Sequence, residues 1–257
     1  MIDLAEKVIV VTGGGRGIGG AAARLCATQG AHVMMADIEK DAGEAAAAEI
    51  REAGGDARFL RTDVRHEDEV GNLMDHVRVK HGRLDALVCA AGVCRGAYLQ
   101  PEEVPIDVFE DVIDVNVKGS FLCAKYASPL LEASQRGVVV LIASGAGVRG
   151  PSSSIAYATS KGGVNGLGIT LAKYLEPRNV RVNVLCPGSI ETVMKLENIA
   201  EAAERQGRSP EQAVEQAKKE LGSPDGVGCC GLRARHTFHA LTLSVWRIQI
   251  RRLRRNN

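Results

Sequence analysis

The fold of this chain is decided by residues 7–19, which read KVIVVTGGGRGIG. A run of β-branched apolar residues ends at a glycine cluster, and this pattern predicts a strand that is buried on both faces. Small and apolar residues then recur at helical spacing from Gly17 to Gln29 and stop at Gly30, a common helix terminator. A buried strand, a glycine turn and a helix predict the first half of a βαβ unit.

The same unit repeats further along the chain. Helices are predicted at Lys40 to Ala53 and Glu67 to His81, and strands at His32 to Ala36, Ala57 to Arg61, Leu84 to Cys89, Val138 to Ala143 and Val180 to Cys186. The alternation predicts an α/β fold, a single Rossmann-like doubly wound parallel sheet with helices on both faces. Because no linker rich in Pro, Gly or Ser interrupts it, we expect no domain boundary before residue 190.

Composition and charge favour small-molecule chemistry. Of the 257 residues, 45% are hydrophobic and 25% are charged, and the net charge of +1 gives no overall field that attracts nucleic acid or a membrane surface. No segment has the roughly 20 apolar residues of a membrane span, and the first residues lack the pattern of a signal peptide. We therefore expect a cytoplasmic protein with no nucleic-acid or membrane partner.

The glycine loop is interpreted as a site for the pyrophosphate of a dinucleotide. Gly13 would permit the turn, Gly17 would let the phosphates approach the backbone, and Gly19 would allow close packing of helix on strand. The phosphates would lie at the helix N-terminus, where backbone amides and the helix dipole favour anions. An ordinary tight turn also explains a glycine cluster, so the loop alone leaves both interpretations open.

Charged residues near this loop bear on the choice of cofactor. Asp37 ends the second strand, where its carboxylate would bind the adenosine ribose hydroxyls and repel a 2′-phosphate, which favours NAD over NADP. Arg16 favours the opposite choice, because its guanidinium could hold that phosphate. We give the carboxylate more weight and expect NAD. Asp63-Val64, after the third strand, would either cap a turn or meet the adenine amino group.

Candidate catalytic groups follow later in the chain. Tyr157-x-x-x-Lys161 separates a phenol and an ammonium by one helical turn, so both reach a common ligand. Ser144 ends a predicted strand, at the edge where open α/β sheets bind ligands. Asn116 precedes a predicted helix, and a plain helix cap is the alternative interpretation of this residue.

Taken in order, these motifs make the sequence similar to the classical short-chain dehydrogenase/reductase family. The resemblance covers roughly residues 5 to 225 and includes Pro187-Gly188 and Thr192. It implies that Tyr157 is the acid/base and that Lys161 holds the nicotinamide ribose and lowers the phenol pKa. It also implies that Ser144 polarises the substrate carbonyl and that Asn116 supports a proton-relay water.

The family's dinucleotide contacts carry over to matching positions of this chain. The resemblance implies contacts with Gly13, Arg16, Gly17, Ile18, Gly19, Asp37, Asp63, Val64, Ala91, Gly92, Tyr157, Lys161, Pro187, Gly188 and Thr192. We expect no metal site. The resemblance implies a homo-oligomer, a tetramer or dimer, unless the altered tail prevents it, because the family's last strand commonly helps to form a tetramer.

The sequence departs from the family pattern at two places. After the fourth strand the family usually has Asn-Asn-Ala-Gly, whereas this chain has Cys89-Ala90-Ala91-Gly92, and we expect the loss of both amides to affect stability more than chemistry. The larger departure follows Asp225, where the family's final helix and strand pattern is lost. We therefore expect the last strand to be atypical or missing.

The end of the chain differs from the rest in charge. Residues 226–257 contain seven arginines and no acidic residue, which leaves 25 basic and 31 acidic residues before them. A reading-frame change near Gly226 to Cys229 is our hypothesis, because codons for Val-Asp-Gly read one base earlier encode arginines. A solvated or unfolded end, a basic arm and a substitute edge strand are the alternatives. His236-x-x-His239 does not fit a standard zinc spacing.

We therefore predict a catalytic dinucleotide-binding domain at 1–225, with a helical flap at 190–222 over the substrate site, and an aberrant tail at 226–257. The expected reaction is hydride transfer between NAD and a secondary alcohol or ketone. The flap, Cys94 to Tyr98 and Arg149 to Ile155 would frame the substrate pocket. The alternatives are an NADPH-dependent 3-oxoacyl-type ketoreductase and a weakly active dinucleotide-binding protein.

Overall fold

The computed structural model describes residues 3–148, 152–188 and 190–221, and these residues form alternating strands and helices. The strands are β1 (Val8–Thr12), β2 (His32–Asp37), β3 (Asp56–Arg61), β4 (Ala86–Cys89), β5 (Val138–Ile142) and β6 (Arg181–Leu185). The helices are α1 (Gly17–Thr28), α2 (Lys40–Glu52), α3 (Glu67–His81), α4 (Ile106–Ile113), α5 (Gly119–Ala133), α6 (Ile155–Leu175), α7 (Val193–Arg205) and α8 (Pro210–Lys218). The predicted α/β alternation is confirmed.

The six strands of the described residues form one parallel sheet in the order β3-β2-β1-β4-β5-β6. This is the strand order of a Rossmann fold. Strands β1 to β3 are added toward one edge of the sheet and β4 to β6 toward the other, so the strand order reverses between β1 and β4. Thr12 at the end of β1 is in register with Ala36 on one side and Cys89 on the other. The carboxyl ends of the central strands therefore open at one edge, where such sheets bind ligands.

Both faces of β1 are covered by hydrophobic clusters, one on each side of the sheet. Val8 and Val10 belong to a cluster that contains residues of α3 and α5. Ile9 and Val11 belong to a second cluster, with residues of α1 and α2. The β-branched run of residues 8–11 thus packs helices against both sides of the sheet, as the sequence predicts.

Within the predicted flap at 190–222, the sequence pattern predicts helix from about Met194 to Leu221, whereas the described residues there form two helices. Helix α7 ends at Arg205, and Gly207 adopts a positive φ of 67°. Ser209 then caps α8 by accepting a hydrogen bond from the Gln212 amide, and Pro210 occupies the first helical position. The prediction was wrong here, because a left-handed glycine followed by Ser-Pro ends one helix and starts another.

Two further sequence predictions concern membrane spans and the end of the chain. None of the helices in the described ranges is long and apolar enough to cross a bilayer. The atypical last strand and the basic tail at 226–257, with its His and Cys residues, lie outside the described residues.

Candidate active site

The carboxyl edge of the sheet opens into a cleft of about 1330 Å³. With the exception of Asn116, every site residue predicted from the sequence lines it: Gly13, Arg16, Gly17, Ile18, Gly19, Asp37, Asp63, Val64, Ala91, Gly92, Ser144, Tyr157, Lys161, Pro187, Gly188 and Thr192. Residues far apart in sequence therefore share one cavity at the edge that the strand order favours for a ligand.

The glycine loop packs too closely for side chains at two positions. Gly13 has a positive φ of 66°, and a Cβ atom there would lie 2.6 Å from the Ala91 amide nitrogen. A Cβ atom on Gly19 would lie 2.0 Å from the Gly13 carbonyl oxygen. The loop therefore depends on glycine to bring β1, α1 and the end of β4 together.

The N-terminus of α1 is suited to an anionic ligand. Arg16 occupies the N-cap position but its side chain does not cap the helix, and the first turn contains no acidic residue. The first amides of a helix have no intrahelical acceptor and carry the positive end of its dipole. The cleft thus presents hydrogen-bond donors at the position where the sequence predicts a pyrophosphate.

Asp37 lies at the end of β2 and is ordered by the backbone. Its Oδ2 accepts a hydrogen bond from the Gly15 amide at 2.9 Å, and its Oδ1 accepts one from the Glu39 amide at 3.1 Å. The carboxylate therefore connects the glycine loop to β2 on the wall of the cleft. Arg16 lines the same cleft, so both groups that bear on the choice of cofactor lie in one cavity.

Asp63 caps a turn, one of the two roles predicted for it. Its Oδ1 accepts hydrogen bonds from the backbone amide and the Nε of Arg65, each at 3.0 Å. The hydrogen bond with the Arg65 side chain holds the pKa of Asp63 below its usual range. Arg65 also donates to Oδ1 of Asp111 on α4 at 2.7 Å. A contact with adenine stays a prediction.

The first turns of α6 bring Tyr157 and Lys161 to the cleft. Ser154 caps the helix, since its hydroxyl accepts a hydrogen bond from the Tyr157 amide at 3.1 Å. The Lys161 ammonium lies 5.5 Å from the centre of the Tyr157 ring and donates to the Ile142 carbonyl oxygen at 2.8 Å. The Ser144 side chain lies close enough to the phenol to favour its ionised form. Tyr157, Lys161 and Ser144 thus form one group at the ends of α6 and β5.

Burial controls the ionisation of this group in the protein alone. It raises the pKa of Tyr157 to about 12, and the nearby Ser144 side chain acts in the opposite direction. Burial also lowers the pKa of Lys161 to about 8. We expected the lysine charge to lower the phenol pKa, but desolvation is larger here and the shift has the opposite sign.

Asn116 is buried behind the cleft and does not cap a helix. It lies in a π-helical turn, Asp114–Lys118, that joins α4 to α5 without a break, so the helix-cap interpretation was wrong. Its Oδ1 accepts from the Val93 amide at 2.8 Å, and its Nδ2 donates to the Val93 carbonyl at 2.9 Å. Its Nδ2 also donates to Ser160 Oγ at 2.8 Å. The π turn thus fixes the amide against the loop after β4.

Gly92 separates Asn116 from Lys161. A Cβ atom on this glycine would lie 3.2 Å from Asn116 Oδ1 and 3.3 Å from Lys161 Nζ. The amide oxygen and the ammonium therefore face the same small space, which a side chain at position 92 would fill. Such a space between polar groups is suited to a water molecule.

The segment after β6 lies against the glycine loop. The Thr192 hydroxyl accepts a hydrogen bond from the Lys195 amide at 3.2 Å and so caps α7. A Cβ atom on Gly17 would lie 3.5 Å from Thr192 Cγ2. Thr192 therefore lies where the flap predicted from the sequence begins, next to the N-terminus of α1.

Comparison with known proteins identifies the family. A model of the family described as short chain dehydrogenase matches residues 7–204. The chain belongs to the short-chain dehydrogenase family. It is therefore an oxidoreductase of the family that its sequence motifs indicate.

Its relatives in the short-chain dehydrogenase family include enzymes named for ring alcohols. The chain is 37% identical over 188 residues to cis-4-hydroxycyclohexanecarboxylate dehydrogenase of Sinomonas cyclohexanicum, covering 73% of this chain and 75% of the relative. It is 38% identical over 195 residues to 2,5-dichloro-2,5-cyclohexadiene-1,4-diol dehydrogenase of Sphingobium indicum, covering 76% of each. The solved structure of NAD+-bound xylitol dehydrogenase is 33% identical, with a TM-score of 0.79, over 89% of this chain and 93% of that one.

Thr12 supports the loop in which this short-chain dehydrogenase lacks the usual amides. The Ala90 amide donates to the Thr12 carbonyl oxygen at 3.1 Å, and the Ala91 amide approaches Thr12 Oγ1 at 3.4 Å. Cys89 and Cys123 of α5 are both buried in the same hydrophobic cluster. β1 therefore supplies backbone and hydroxyl contacts in the region where Asn side chains are usual.

Sequence reasoning missed several residues that support the site. Ser160 and Val93 hold Asn116, and Asn198 and Arg205 connect α7 to the loop after β4. Ser154 could have been found, because a serine before a helical pattern is a common N-cap. The others contact residues distant in sequence, which leave no local signal. Of the expected pocket residues, Cys94, Arg95, Tyr98 and Ile155 line the cleft, whereas 149–151 lie outside the described residues.

Proposed function

We propose that this short-chain dehydrogenase transfers a hydride between NAD(H) and a secondary alcohol or ketone. The observation that carries the proposal is that Tyr157, Lys161 and Ser144 line the same cleft as the glycine loop. The NAD+-bound relative supports the choice of cofactor. The two relatives named for a hydroxycyclohexanecarboxylate and a cyclohexadienediol favour a cyclic secondary alcohol as substrate.

The cleft residues divide into groups that would hold different parts of the dinucleotide. Gly13, Gly17, Ile18 and Gly19 would hold the phosphates at the N-terminus of α1. Asp37 would accept hydrogen bonds from the adenosine ribose, and Asp63 and Val64 would contact adenine. The nicotinamide end would contact the residues at the ends of β4 and β6 and at the start of α7: Ala91, Gly92, Pro187, Gly188 and Thr192. When bound, NAD supplies the ring that accepts or gives the hydride.

Side chains of the protein would transfer the proton of the substrate hydroxyl. Tyr157 takes a proton from the substrate hydroxyl in the oxidation direction and returns it in the reduction direction. Ser144, which lies beside the phenol, would turn its single hydroxyl proton to the substrate oxygen and hold that oxygen in line. Lys161, held by the Ile142 carbonyl, supplies a positive charge that favours the phenolate. The space between Asn116 and Lys161 would hold the water that exchanges the proton with solvent.

Substitution of Tyr157 by phenylalanine tests the acid/base assignment. The variant keeps the ring that packs in the cleft but loses the hydroxyl, so we expect kcat to fall by about 100-fold to 10,000-fold, the range for loss of a general acid/base. Oxidation of a panel of cyclic and acyclic secondary alcohols, read by nicotinamide absorbance, measures the loss. Activity close to that of the wild type would contradict the assignment. A wild-type protein that binds NADH but oxidises no member of the panel would favour the weakly active binding protein instead.

Substitution of Asp37 by alanine tests the cofactor choice. If the carboxylate binds the ribose and repels a 2′-phosphate, the variant loses affinity for NADH and gains affinity for NADPH, each by about 10-fold, as for lost or relieved charged contacts. Kd values for both dinucleotides, from quenching of protein fluorescence, measure the change. Arg16 lines the cleft and favours the NADPH-dependent 3-oxoacyl-type ketoreductase as second candidate. Tighter binding of NADPH than NADH by the wild type would support that candidate.

Homo-oligomerisation accompanies this proposal as a prediction from the family resemblance. Light scattering of the full chain measures its molar mass. A dimer or tetramer is expected, and a monomer would contradict the expectation.

A further inference from the structure

The substrate end of the cleft contains two basic residues on different elements, Arg95 and Lys195. Arg95 lies in the loop after β4, and its Nε pairs with Asp111 Oδ2 at 2.8 Å. In the described ranges its Nη groups have no hydrogen-bond acceptor, and the side chain is 57% exposed. A guanidinium anchored through Nε still offers a planar pair of donors, the geometry that fits a carboxylate.

A single hydroxyl connects Arg95 to the catalytic tyrosine. Ser154 Oγ donates to the Arg95 carbonyl oxygen at 2.7 Å and accepts from the Tyr157 amide at 3.1 Å. Two hydrogen bonds through this hydroxyl therefore join the backbone of Arg95 to the backbone of Tyr157. The loop that carries Arg95 is thus joined to the first turn of α6, and Arg95 and Tyr157 line the same cleft.

Lys195 lies in the first turn of α7, which contains no acidic residue. A cation at this end of a helix is unfavourable, because the helix dipole is positive there. Its ammonium makes no ion pair within the part of the chain that the structure describes. The helix end and the lysine therefore add to one positive potential, which an anionic ligand would balance.

Hydrogen bonds join α7, which carries Lys195, to the loop after β4, which carries Arg95. Arg205 of α7 donates to the Ala97 carbonyl oxygen at 2.8 Å, and Asn198 donates to the Cys94 carbonyl oxygen at 3.4 Å. The charges of Lys195 and Lys161 both act on the Cys94 thiol, whose pKa burial raises to about 11. Cys94, Lys161 and Lys195 therefore line the same part of the chain's cleft, and Asn198 joins α7 to the Cys94 backbone.

Acidic residues near this end of the cleft are mostly engaged. Asp111 pairs with both Arg65 and Arg95, and Glu201 pairs with Arg205 at 2.6 Å. Glu197 lines the cleft and is exposed. One exposed carboxylate thus opposes two cations and a helix N-terminus, and the balance at the substrate end is positive.

We propose that the substrate carries a carboxylate away from the carbon that reacts, and that Arg95 binds it while Lys195 adds attraction from α7. The proposal rests on the proposed function for the reacting hydroxyl or ketone. It assigns the substrate class as a hydroxy acid or keto acid, and it makes Arg95 the residue that selects for the acid.

Binding to the protein–NADH complex tests this proposal without turnover. The probes are cyclohexanecarboxylate and cyclohexanecarboxamide, which have the same ring and differ in charge. NADH fluorescence, titrated with each probe, should show binding of the carboxylate at least about 10-fold tighter, as expected for a charged hydrogen-bonded pair. Higher salt should weaken the binding of the carboxylate and leave the binding of the carboxamide unchanged.

Variants identify the residues responsible. R95Q should abolish the preference for the carboxylate, R95K should keep part of it because it keeps charge without the fork, and K195Q should reduce it about 3-fold. K173Q, which removes an exposed lysine of α6 outside the cleft, is the matched control and should leave the preference unchanged. Equal affinity for the two probes, no binding of either, or an unchanged preference in R95Q would overturn the proposal.

The outcome is separable from that of the proposed function. If neutral alcohols are oxidised and the carboxylate shows no preference, only the substrate class is rejected. If no alcohol is oxidised while the carboxylate binds through Arg95, the anion site stands and the dehydrogenase activity is rejected.

Discussion

The glycine-loop region and the region after β6 hold the two ends of the cleft by different means. Around the glycine loop, every residue of β1 is at most 3% exposed, and added Cβ atoms at Gly13 and Gly19 would overlap backbone. By contrast, α7 buries only Ala202 and Ala203, and α8 buries no residue. The end of the cleft proposed for the dinucleotide is therefore fixed by close packing, and the end proposed for the substrate by a few side-chain hydrogen bonds.

This difference has a consequence for stability and specificity. Segments with few buried contacts open locally at a lower free-energy cost than the core. The substrate end can thus change its side chains without disturbing the sheet, whereas the dinucleotide end tolerates little change. A common cofactor site combined with a variable substrate site is the arrangement that this contrast favours.

The largest expected effect is at Gly19. Because its Cβ atom would lie 2.0 Å from the Gly13 carbonyl oxygen, Gly19→Ala must displace the loop that would hold the phosphates. We expect NADH affinity to fall at least about 100-fold, or the fold to be lost, as in severe overpacking. Fluorescence titration with NADH and thermal unfolding measure both outcomes.

Gly166 provides the matched control for that substitution. It lies in α6, is exposed, and has no atom within 4 Å of an added Cβ in the described residues. Gly166→Ala should leave NADH affinity unchanged and raise stability by about 0.5–1 kcal/mol, because alanine is the better helix residue. Wild-type NADH affinity in Gly19→Ala would show that the loop is not fixed by packing.

A smaller effect is expected at Arg205, in the hydrogen-bonded region. Arg205→Gln removes the hydrogen bond from its guanidinium to the Ala97 carbonyl oxygen and its ion pair with Glu201. We expect KM for the alcohol to rise about 3-fold to 10-fold, since a typical hydrogen bond contributes about 1 kcal/mol. Kd for NADH should not change. Steady-state kinetics and NADH titration separate the two, and equal effects on both would contradict independent ends of the cleft.

The smallest effect is expected at the amino ends of β2 and β3, opposite the cleft. The hydrogen bond between His32 Nδ1 and Asp56 Oδ2, at 2.6 Å, raises the pKa of His32 and lowers the pKa of Asp56. The pair therefore stabilises the fold fully between about pH 4 and pH 6.5, the unfolded values of the two groups. This contribution is lost as the pH rises through the raised His32 pKa or falls through the lowered Asp56 pKa.

Neighbouring charges act on the same pair. Glu6 lies 3.6 Å from His32 Nε2, and the ring of His81, whose pKa burial lowers, is 5.4 Å away from that of His32.

Because the pair is partly exposed, we expect His32→Gln to reduce the free energy of unfolding at pH 5.5 by less than about 1 kcal/mol, and to reduce it by a smaller amount at pH 9. His76→Gln, on the exposed surface of α3, is the control. Thermal unfolding at the two pH values measures the difference, and an equal loss at both would contradict the ion-pair explanation.

Much of the fold could be predicted because its signals are local. The β-branched run of β1 and the spacing of α3 follow from periodicity within a few residues, and the predicted bounds of α3, Glu67–His81, agree with the structure. The break after Arg205 was missed, although Gly207 and Ser209-Pro210 carry a readable signal. The π turn at Asn116 was missed because nothing in the local pattern distinguishes it from a continuing helix.

The candidate site was predicted as a set of residues but not as an arrangement. Motif order gave the residues that line the cleft, and their roles stay proposals. The hydrogen bonds that position them join residues distant in sequence, such as Asn116 to Val93 and Arg65 to Asp111. No single segment encodes such a pair, because the partners meet only when β4, α4 and the helices around them pack.

By itself, the sequence of this protein determined the alternation of strands and helices, the glycine loop and the Tyr-x-x-x-Lys motif, since each depends on neighbours along the chain. The tertiary structure decided the burial that raises the pKa of Tyr157, the hydrogen bond that joins the Arg95 backbone to the N-cap of α6, and the weak packing of α7 and α8. The reason is that desolvation and long-range hydrogen bonds depend on which surfaces the folded chain brings together.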